Sequence, residues 1–552
     1  MSAAAIVAAS VGFIPSAAHA ADPVKPGTHG VSAPAGDLKK AAASNFKSFT
    51  SPADRTVRQS IPAAGNKAAA APQAQAAADN PTLAVGLQGK GTSAHGVEVT
   101  STITSAPAAL DITIAWGDGT ETKATAQGSG QVARQHSYAE VGQYTVTVTV
   151  VDAANNTQAV NQLGVVTPGS DFTPYGPTRL LDTRSGIGVP KGKVAGYGTT
   201  RLKVGGNGGI PAGVTAVVLN VTVTNANSAG HVTAYPSGGA RPISSNVNFV
   251  AGQTVPNLVI VPVGEDGYVE LYNGGWDWID VIADVTGYFS HKASSGYNPL
   301  APVRAVDTRD GTGTAQGQLA GQGTFSVQMA GRNGVWKGIS AVALNVTVTN
   351  PKEAGHLTVF PSGQAAPSTS SVNFTAGQTI ANSVIVPVGA DGKINVRNGA
   401  WAGTDVIVDV VGFYTNESSG AFMPTAPGRM LDTRDDANWG YGPLEGRGYV
   451  YMRPFTNPVG VTGFVFNTTV TNTRGDGFLS VTPDPNSWDQ YDNGTAVWPE
   501  EPTASALNWT VGKTVPNLVQ ASAGTHGIVD FWNMGWDDAD LIVDIFGYYD
   551  TL

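Results

Sequence analysis

Leu181-Asp182-Thr183-Arg184 returns as Val306-Asp307-Thr308-Arg309 and again as Leu431-Asp432-Thr433-Arg434. Each occurrence opens a block that closes on Gly287-Tyr288-Phe289, Gly412-Phe413-Tyr414 or Gly547-Tyr548-Tyr549. The arginines Arg184, Arg309 and Arg434 are evenly spaced, 125 positions apart. Inside the blocks, Leu219–Asn225 (Leu-Asn-Val-Thr-Val-Thr-Asn) recurs as Leu344–Asn350 and Phe466–Asn472. Asn257, Asn382 and Asn517 mark one shared position, and Asp284, Asp409 and Asp544 another. One domain is therefore used three times, over 172–290, 297–415 and 421–552. Repetition of a whole domain points to multivalent contact or to scaffolding more than to catalysis, which needs a single site.

The first block predicts eight short strands, at Thr178–Leu181, Thr199–Val204, Ala216–Thr224, Gly230–Tyr235, Ser245–Phe249, Thr254–Pro262, Gly267–Tyr272 and Asp280–Tyr288. Separated by Gly, Pro and Asn turns, they fit a β-sandwich of jelly-roll type. The third block carries an insertion near 483–502 with Trp488, Tyr491 and Trp498, expected to be a surface loop of the kind where function concentrates. The linkers Ser290–Tyr297 and Thr415–Ala421 are short. The three copies could be strung out or closed around a pseudo-threefold axis, and short linkers favour a rigid arrangement.

Composition agrees with an all-β protein. The 552 residues include 69 Gly and 34 Pro, and only 13% are charged, too few for long amphipathic helices. The net charge of −10 is spread thinly with no basic stripe, which argues against nucleic acid. Absence of cysteine removes disulfides, thiol nucleophiles and thiolate metal sites together. Residues 1–20 are apolar and end in Ala18-His19-Ala20, the pattern of a signal peptide, although a basic leader is missing. The expectation is a secreted protein, extracellular or associated with the cell wall. With no apolar run able to span a membrane and no anchor after Leu552, release is expected. Residues 21–80, rich in Ala, Pro, Ser and Lys, read as a disordered linker, with a short helix at Lys39–Phe46.

Residues 81–168 form a separate unit of alternating strands. Within it, Trp116-Gly-Asp-Gly119 is followed by His136-Ser-Tyr138 and Gly142-Gln-Tyr-Thr-Val146. This order resembles the polycystic-kidney-disease (PKD) family. The resemblance implies an immunoglobulin-like β-sandwich that serves as spacer or binding module beside other secreted domains. In physical terms Asp118-Gly119 supplies the hairpin turn, and Trp116 reads as core. The three blocks, read from Leu-Asp-Thr-Arg to Gly-Tyr-Phe, look like tandem β-repeats of secreted actinobacterial proteins. That likeness implies an extracellular accessory module associated with cell wall or carbohydrate, and brings no set of binding residues with it.

The leading site candidate precedes the last strand of each block. Asn273, Trp276 and Asp280, then Asn398, Trp401 and Asp405, then Asn533, Trp536 and Asp540 all fit Asn-x-x-Trp-x-x-x-Asp. An exposed Trp in such a Gly-rich turn offers a flat face for a sugar ring, while Asn and Asp bond its hydroxyls. The alternatives are a Trp folded down as a lid on the sandwich edge, and a protein interface. Asp182 with Arg184, Asp307 with Arg309 and Asp432 with Arg434 stand two apart on a strand and read as structural pairs. Asn220, Asn345 and Asn467 read as buried amides bonded to turn backbone. Asp537, Asp538 and Asp540 offer oxygens for calcium, but the other copies lack that density. His231 and His356 give way to Phe478 in the third copy, which suits packing better than zinc. No metal or cofactor is expected. No His-Glu-x-x-His, Gly-x-Ser-x-Gly or Walker signature is present, and paired carboxylates have no local signature to search for.

These readings converge on a secreted, noncatalytic, multivalent module that binds cell-wall polysaccharide or another extracellular glycan. The alternative is an extracellular scaffold or filament subunit making contacts with other protein copies.

Overall fold

The computed structural model describes residues 30–32, 48–61, 80–93, 95–436, 439–456 and 458–551. The expected signal segment and the helix expected at Lys39–Phe46 lie outside these residues. Strands dominate: β1 (Gly30–Ser32), β2 (Ser48–Ser51), β3 (Val57–Ser60), β4 (Ala84–Gly91), β5 (Gly96–Thr104), β6 (Ala109–Ala115), β7 (Glu121–Gln127), β8 (Gly130–Ser137), β9 (Gly142–Asp152) and β10 (Thr157–Thr167) precede the blocks. The sheets β3-β10-β9-β6-β7 and β2-β4-β5-β8 form a sandwich. Its alternating strands turn Val85, Leu87, Ile112, Ile114, Val146 and Val148 into one core with Trp116. Trp116 Nε1 donates to Thr122 Oγ1 at 2.9 Å and its carbonyl accepts from the Tyr138 hydroxyl at 3.0 Å.

Residues 48–60 correct the linker reading of 21–80. β2 pairs antiparallel with β4 and β3 with β10, so this stretch belongs to the sandwich. Its sequence lacks an apolar stripe because both strands lie at sheet edges, where main-chain pairing does the holding. Side-chain anchoring is polar too: Ser51 Oγ donates to Asn161 Oδ1 at 2.8 Å, and Asn161 Nδ2 to the Val85 carbonyl at 2.7 Å. β1 departs from the linker reading as well, adding in parallel to a strand of the third block.

The first block comprises β11 (Asp171–Asp182), β12 (Thr199–Lys203), β13 (Ala216–Thr224), β14 (Gly230–Pro236), β15 (Val247–Phe249), β16 (Val255–Pro262), β17 (Tyr268–Asn273) and β18 (Asp280–Ser290). They form an inner sheet β11-β18-β13-β16 and an outer sheet β12-β17-β14-β15, a jelly-roll arrangement. β11 starts earlier than its apolar residues suggest. It is an edge strand with irregular register around Pro174–Thr178, where prolines are tolerated. The second block repeats the pattern with β19 (Gly296–Asp307), β20 (Thr324–Gln328), β21 (Ala341–Thr349), β22 (Gly355–Pro361), β23 (Val372–Phe374), β24 (Ile380–Pro387), β25 (Lys393–Asn398) and β26 (Asp405–Thr415). The third does so with β27 (Ala421–Asp432), β28 (Tyr449–Arg453), β29 (Val461–Thr471), β30 (Gly477–Pro483), β31 (Leu507–Trp509), β32 (Val515–Ser522), β33 (Val529–Asn533) and β34 (Asp540–Asp550). Its insertion adds a short helix α1 (Trp488–Asp492), and β1 extends its outer sheet along β28.

The three blocks close into a ring. β16, β24 and β32 pack on one another about a pseudo-threefold axis. This is why β13, β21 and most of β29 are buried along both faces. One face fills the block's own sandwich with Val217, Leu219 and Val221, while the other presents Ala216 and Val218 to the shared centre. The strands' sequences alternate, with Asn220, Asn345 and Asn467 on the axis side, so the burial of that face comes from the neighbouring blocks.

Polar order sits inside this centre. Asn257 Nδ2 donates to Asn467 Oδ1 (3.3 Å), Asn382 Nδ2 to Asn220 Oδ1 (3.0 Å) and Asn517 Nδ2 to Asn345 Oδ1 (3.2 Å). Their carbonyl oxygens accept from Leu518, Leu258 and Ser383 backbone N–H groups respectively, so block one bonds block three, three bonds two and two bonds one. At the other ends of the strands lies an aromatic layer of Phe172, Phe289, Tyr297, Tyr414, Phe422 and Tyr549. A β-carbon at Gly287, Gly412 or Gly547 would overlap the ring of Phe172, Tyr297 or Phe422, which accounts for the glycine of the closing motif.

The layer also shows copy-specific compensation. Tyr414 and Tyr549 hydroxyls bond each other at 2.7 Å, and Gln520 Nε2 donates to both, at 2.9 and 2.7 Å. The first two blocks place Ile260 and Ile385 where the third has Gln520. Gln520→Leu should therefore cost about 1–3 kcal/mol, because the buried hydroxyls lose a donor. Adding Tyr414→Phe and Tyr549→Phe should recover most of that loss in denaturant titration.

The N-terminal sandwich docks at this aromatic end. Val141 N–H donates to the His291 carbonyl at 2.9 Å, Ala293 N–H to the Ala139 carbonyl at 3.0 Å, and His95 Nε2 lies 3.3 Å from Asp171 Oδ2.

Candidate functional site

The loop joining the last two strands of each block is built by its own asparagine. Asn273 Nδ2 donates to the carbonyls of Ala195 (3.0 Å) and Asp277 (2.8 Å), and its Oδ1 accepts from Gly275 N–H (2.9 Å). Asn398 does the same with Leu319, Ala402 and Ala400, and Asn533 with Leu444, Asp537 and Gly535. All three asparagines are buried. The loop backbone then lies directly against Gly196, Gly321 or Gly446 of a facing loop, where any β-carbon would strike the tryptophan carbonyl.

The aspartates of the motif are committed in the same way. Asp280 accepts from Thr183 Oγ1 and Asn225 Nδ2, both at 2.8 Å; Asp405 from Thr308 and Asn350, both at 3.0 Å; Asp540 from Thr433 (2.6 Å) and Asn472 (2.7 Å). Asn225, Asn350 and Asn472 hold φ of 53°, 51° and 53°, a left-handed position that Asn tolerates. Asn273, Asn398, Asn533, Asp280, Asp405 and Asp540, expected to bond a ligand's hydroxyls beside the Trp, thus all have hydrogen-bond partners within the chain. The threonine of Leu-Asp-Thr-Arg is one of the partners.

The tryptophans behave differently. Trp276, Trp401 and Trp536 are 80%, 84% and 82% exposed. None folds down as a lid. Each precedes the Asp280, Asp405 or Asp540 end of its block's last strand, opposite the end that carries Phe289, Tyr414 or Tyr549 of the aromatic layer. Their neighbours differ: Tyr197 stands edge-on to Trp276 at 5.3 Å, Glu353 Oε1 accepts from Trp401 and Ala402 N–H (2.5 and 2.8 Å), and Arg447 lies 5.3 Å from the Trp536 ring. In the first block Trp278 is also exposed, beside an open groove of about 580 Å³ lined by Val189, Pro190, Lys193 and Arg201. His231 and His356 lie over Gly274 and Gly399 beneath the loops, and burial holds both imidazoles below their ordinary value. Phe478 takes this place in the third block.

The entrance motif forms a network of two carboxylates and two guanidiniums. Asp182 accepts from Arg184 Nε (2.9 Å) and Nη2 (2.7 Å), and Asp307 and Asp432 accept from Arg309 and Arg434 alike. A further arginine, missed in the sequence, lies three residues earlier: Arg179, Arg304 or Arg429 bridges this aspartate to Asp284, Asp409 or Asp544. The repeated Arg-x-x-Asp spacing was its signal. Hydrogen bonds from Arg184, Arg309 and Arg434 hold Asp182, Asp307 and Asp432 below the ordinary carboxylate range. Burial pushes Asp284, Asp409 and Asp544 above it despite their arginine. Each of the second set is hydrogen-bonded to one guanidinium, Arg179, Arg304 or Arg429, with the second arginine of its block acting at longer range.

No group of three or more His, Cys, Asp or Glu among the described residues could hold a metal ion. No helix among them is long and apolar enough to cross a membrane.

No family model matches the chain, and no curated protein matches it. Solved structures similar to parts of it include a SusE-like protein, with 10% identity over 36% of this chain and 96% of that one at a TM-score of 0.12. Another, described as the structural basis for the promiscuous specificity of carbohydrate-binding modules from the β-sandwich superfamily, has 14% identity over 35% and 86% at 0.11. A third, described as the triple jelly roll fold and turret assembly in an archaeal virus, has 10% identity over 69% and 89% at 0.14.

Proposed function

We propose that this is an extracellular, noncatalytic module whose three tryptophan loops contact one repetitive ligand, a cell-wall polysaccharide or other surface glycan. The observation that supports this most is the exposure of Trp276, Trp401 and Trp536, one on each block of a closed ring, each on a loop held by its own buried asparagine. A ring presented rigidly to solvent loses little conformational freedom on contact, and its flat face suits the apolar face of a sugar. Each contact would be weak, and simultaneous engagement of a polymer raises the overall affinity by about 10²–10⁴-fold. The flanks Tyr197, Glu353 and Arg447 differ from block to block and would give each loop its own preference. The signal-peptide pattern and the resemblance to repeats of secreted actinobacterial proteins direct the proposal to the cell wall.

The test is co-sedimentation of the full chain with purified actinobacterial cell walls and peptidoglycan, beside the Trp276→Ala/Trp401→Ala/Trp536→Ala variant. Native protein should pellet with walls and the triple variant should stay in the supernatant with an unchanged circular dichroism spectrum. A single replacement should lower retention less than the triple. Equal retention of native and triple variant sinks the assignment to these loops. Absence of retention together with concentration-dependent self-association would favour the scaffold reading, in which the same rings meet other copies.

A further inference from the structure

The third block's insertion covers an acid that its sister blocks leave open. On the outer sheet the equivalent positions are Glu270, Asn395 and Asp530. Glu270 is paired with Arg201 at 2.9 Å, and Asn395 accepts from Ser326 Oγ at 2.7 Å. Asp530 is wholly buried, and no N–H or O–H donor reaches either of its oxygens. It sits between Tyr451 on β28 and Thr482 on β30. Two residues beyond Thr482, on the same face, comes Asp484, the first residue of the insertion and likewise buried.

Asp484 is the anchor of that insertion. One oxygen accepts from Asn486 N–H at 2.5 Å and the other from the Tyr491 hydroxyl. Tyr491 stacks on Tyr451 at 3.6 Å, and Trp498 packs edge-on against Tyr449 at 5.0 Å. The groups facing Asp530 are thus Asp484 and Tyr491 from the insertion and Tyr449 and Tyr451 from the sheet. Arg453, two residues beyond Tyr451 on the same strand, is turned over the Trp488 ring at 4.0 Å. Two buried carboxylates on one face of the sheet, neither in an ion pair with a cation, oppose each other's ionisation.

We propose that residues 484–502 are a pH-sensitive clasp, held over the outer sheet of the third block by one proton shared between Asp530 and Asp484. Burial, and after it the neighbouring Asp484 carboxylate, holds the Asp530 carboxyl well above the ordinary aspartate range. The closed clasp keeps the proton and the open one releases it to solvent. Closure is therefore fully favoured below the ordinary aspartate value and weakens as pH rises toward the raised one, by up to tenfold per pH unit for a single proton. Opening would bare Tyr449, Tyr451 and Trp532 on the sheet.

Hydrogen exchange of peptides from 484–502 in the full chain tests this from about pH 5 to 10, with rates corrected for intrinsic exchange. Protection in the native protein should fall by up to tenfold per unit above the onset, while the equivalent turns 237–246 and 362–371 keep theirs. Asp530→Asn, whose amide can donate to Asp484 at every pH, should flatten the profile. Asp484→Asn, which removes the like charge, should reduce the slope and serves if the first variant folds poorly. Protection that is flat with pH in the native protein, or that falls equally in both variants, overturns the proposal. So does protection restored by calcium chloride in the native protein but not in Asp530→Asn, which would assign the pair to a cation.

Discussion

Arg304→Ala should destabilise the protein by about 3–5 kcal/mol near neutral pH, read as a lower midpoint of the denaturant transition. Arg304 Nε donates to Asp409 at 2.5 Å, Nη1 to Asp307 at 2.9 Å, and Nη2 to the Thr503 carbonyl of the next block at 3.1 Å. Asp409 is 0% exposed and Asp307 1% exposed. Asp307 keeps Arg309, whereas Asp409 is hydrogen-bonded to Arg304 alone, so truncation leaves a buried carboxylate without its guanidinium. Burial already holds Asp409 above the ordinary range, and removing its cation raises it further. A raised carboxyl is stabilising when protonated, so the penalty should shrink as pH falls toward about 4. Arg304→Met combined with Asp409→Leu removes both charges and should be milder than the single change. A single variant as stable as the native protein at neutral pH would show that the network contributes little.

Asn382→Leu should be comparably damaging, by about 3–5 kcal/mol, because several buried groups lose partners at once. The Asn382 side chain bonds Asn220, the Ser371 carbonyl and the Leu258 N–H, spanning two blocks at the axis. Leucine fits the volume but supplies no donor or acceptor. The ring of asparagines is cyclic, so the loss should lower one cooperative transition of the whole three-block body instead of splitting off the second block. An early transition confined to the second block would contradict that coupling. Asn257→Leu and Asn517→Leu should behave alike, since each occupies the same place around the axis.

These two sites show different degrees of legibility. Asp307 and Asp409 stood out as internally repeated acids, yet Arg304 did not, because its buried partner Asp409 lies 105 positions away in sequence. Asn382 was visible as a shared position, but nothing local says that an amide bonds another block. The tryptophan loops were legible as a motif, and the hydrogen-bond partners of its Asn and Asp were not. Asn273 and Asp280 have the chemistry of ligand contacts and are bonded to Ala195, Asp277, Thr183 and Asn225. Edge strands such as Ser48–Ser51 escaped because main-chain pairing leaves no apolar pattern to read.

By itself the sequence determined the three-block repeat, the eight strands of each block and the turns between them, since periodicity and turn chemistry are local properties. Tertiary structure alone decided that the blocks close into a ring. A strand such as Ala216–Thr224 alternates Val and Leu with Asn220, Thr222 and Thr224, the pattern of a half-exposed strand, yet the structure buries both its faces. It also decided that Trp276 stays in solvent while Asp530 is buried, because exposure depends on which distant segments reach a position, and residue type does not encode that.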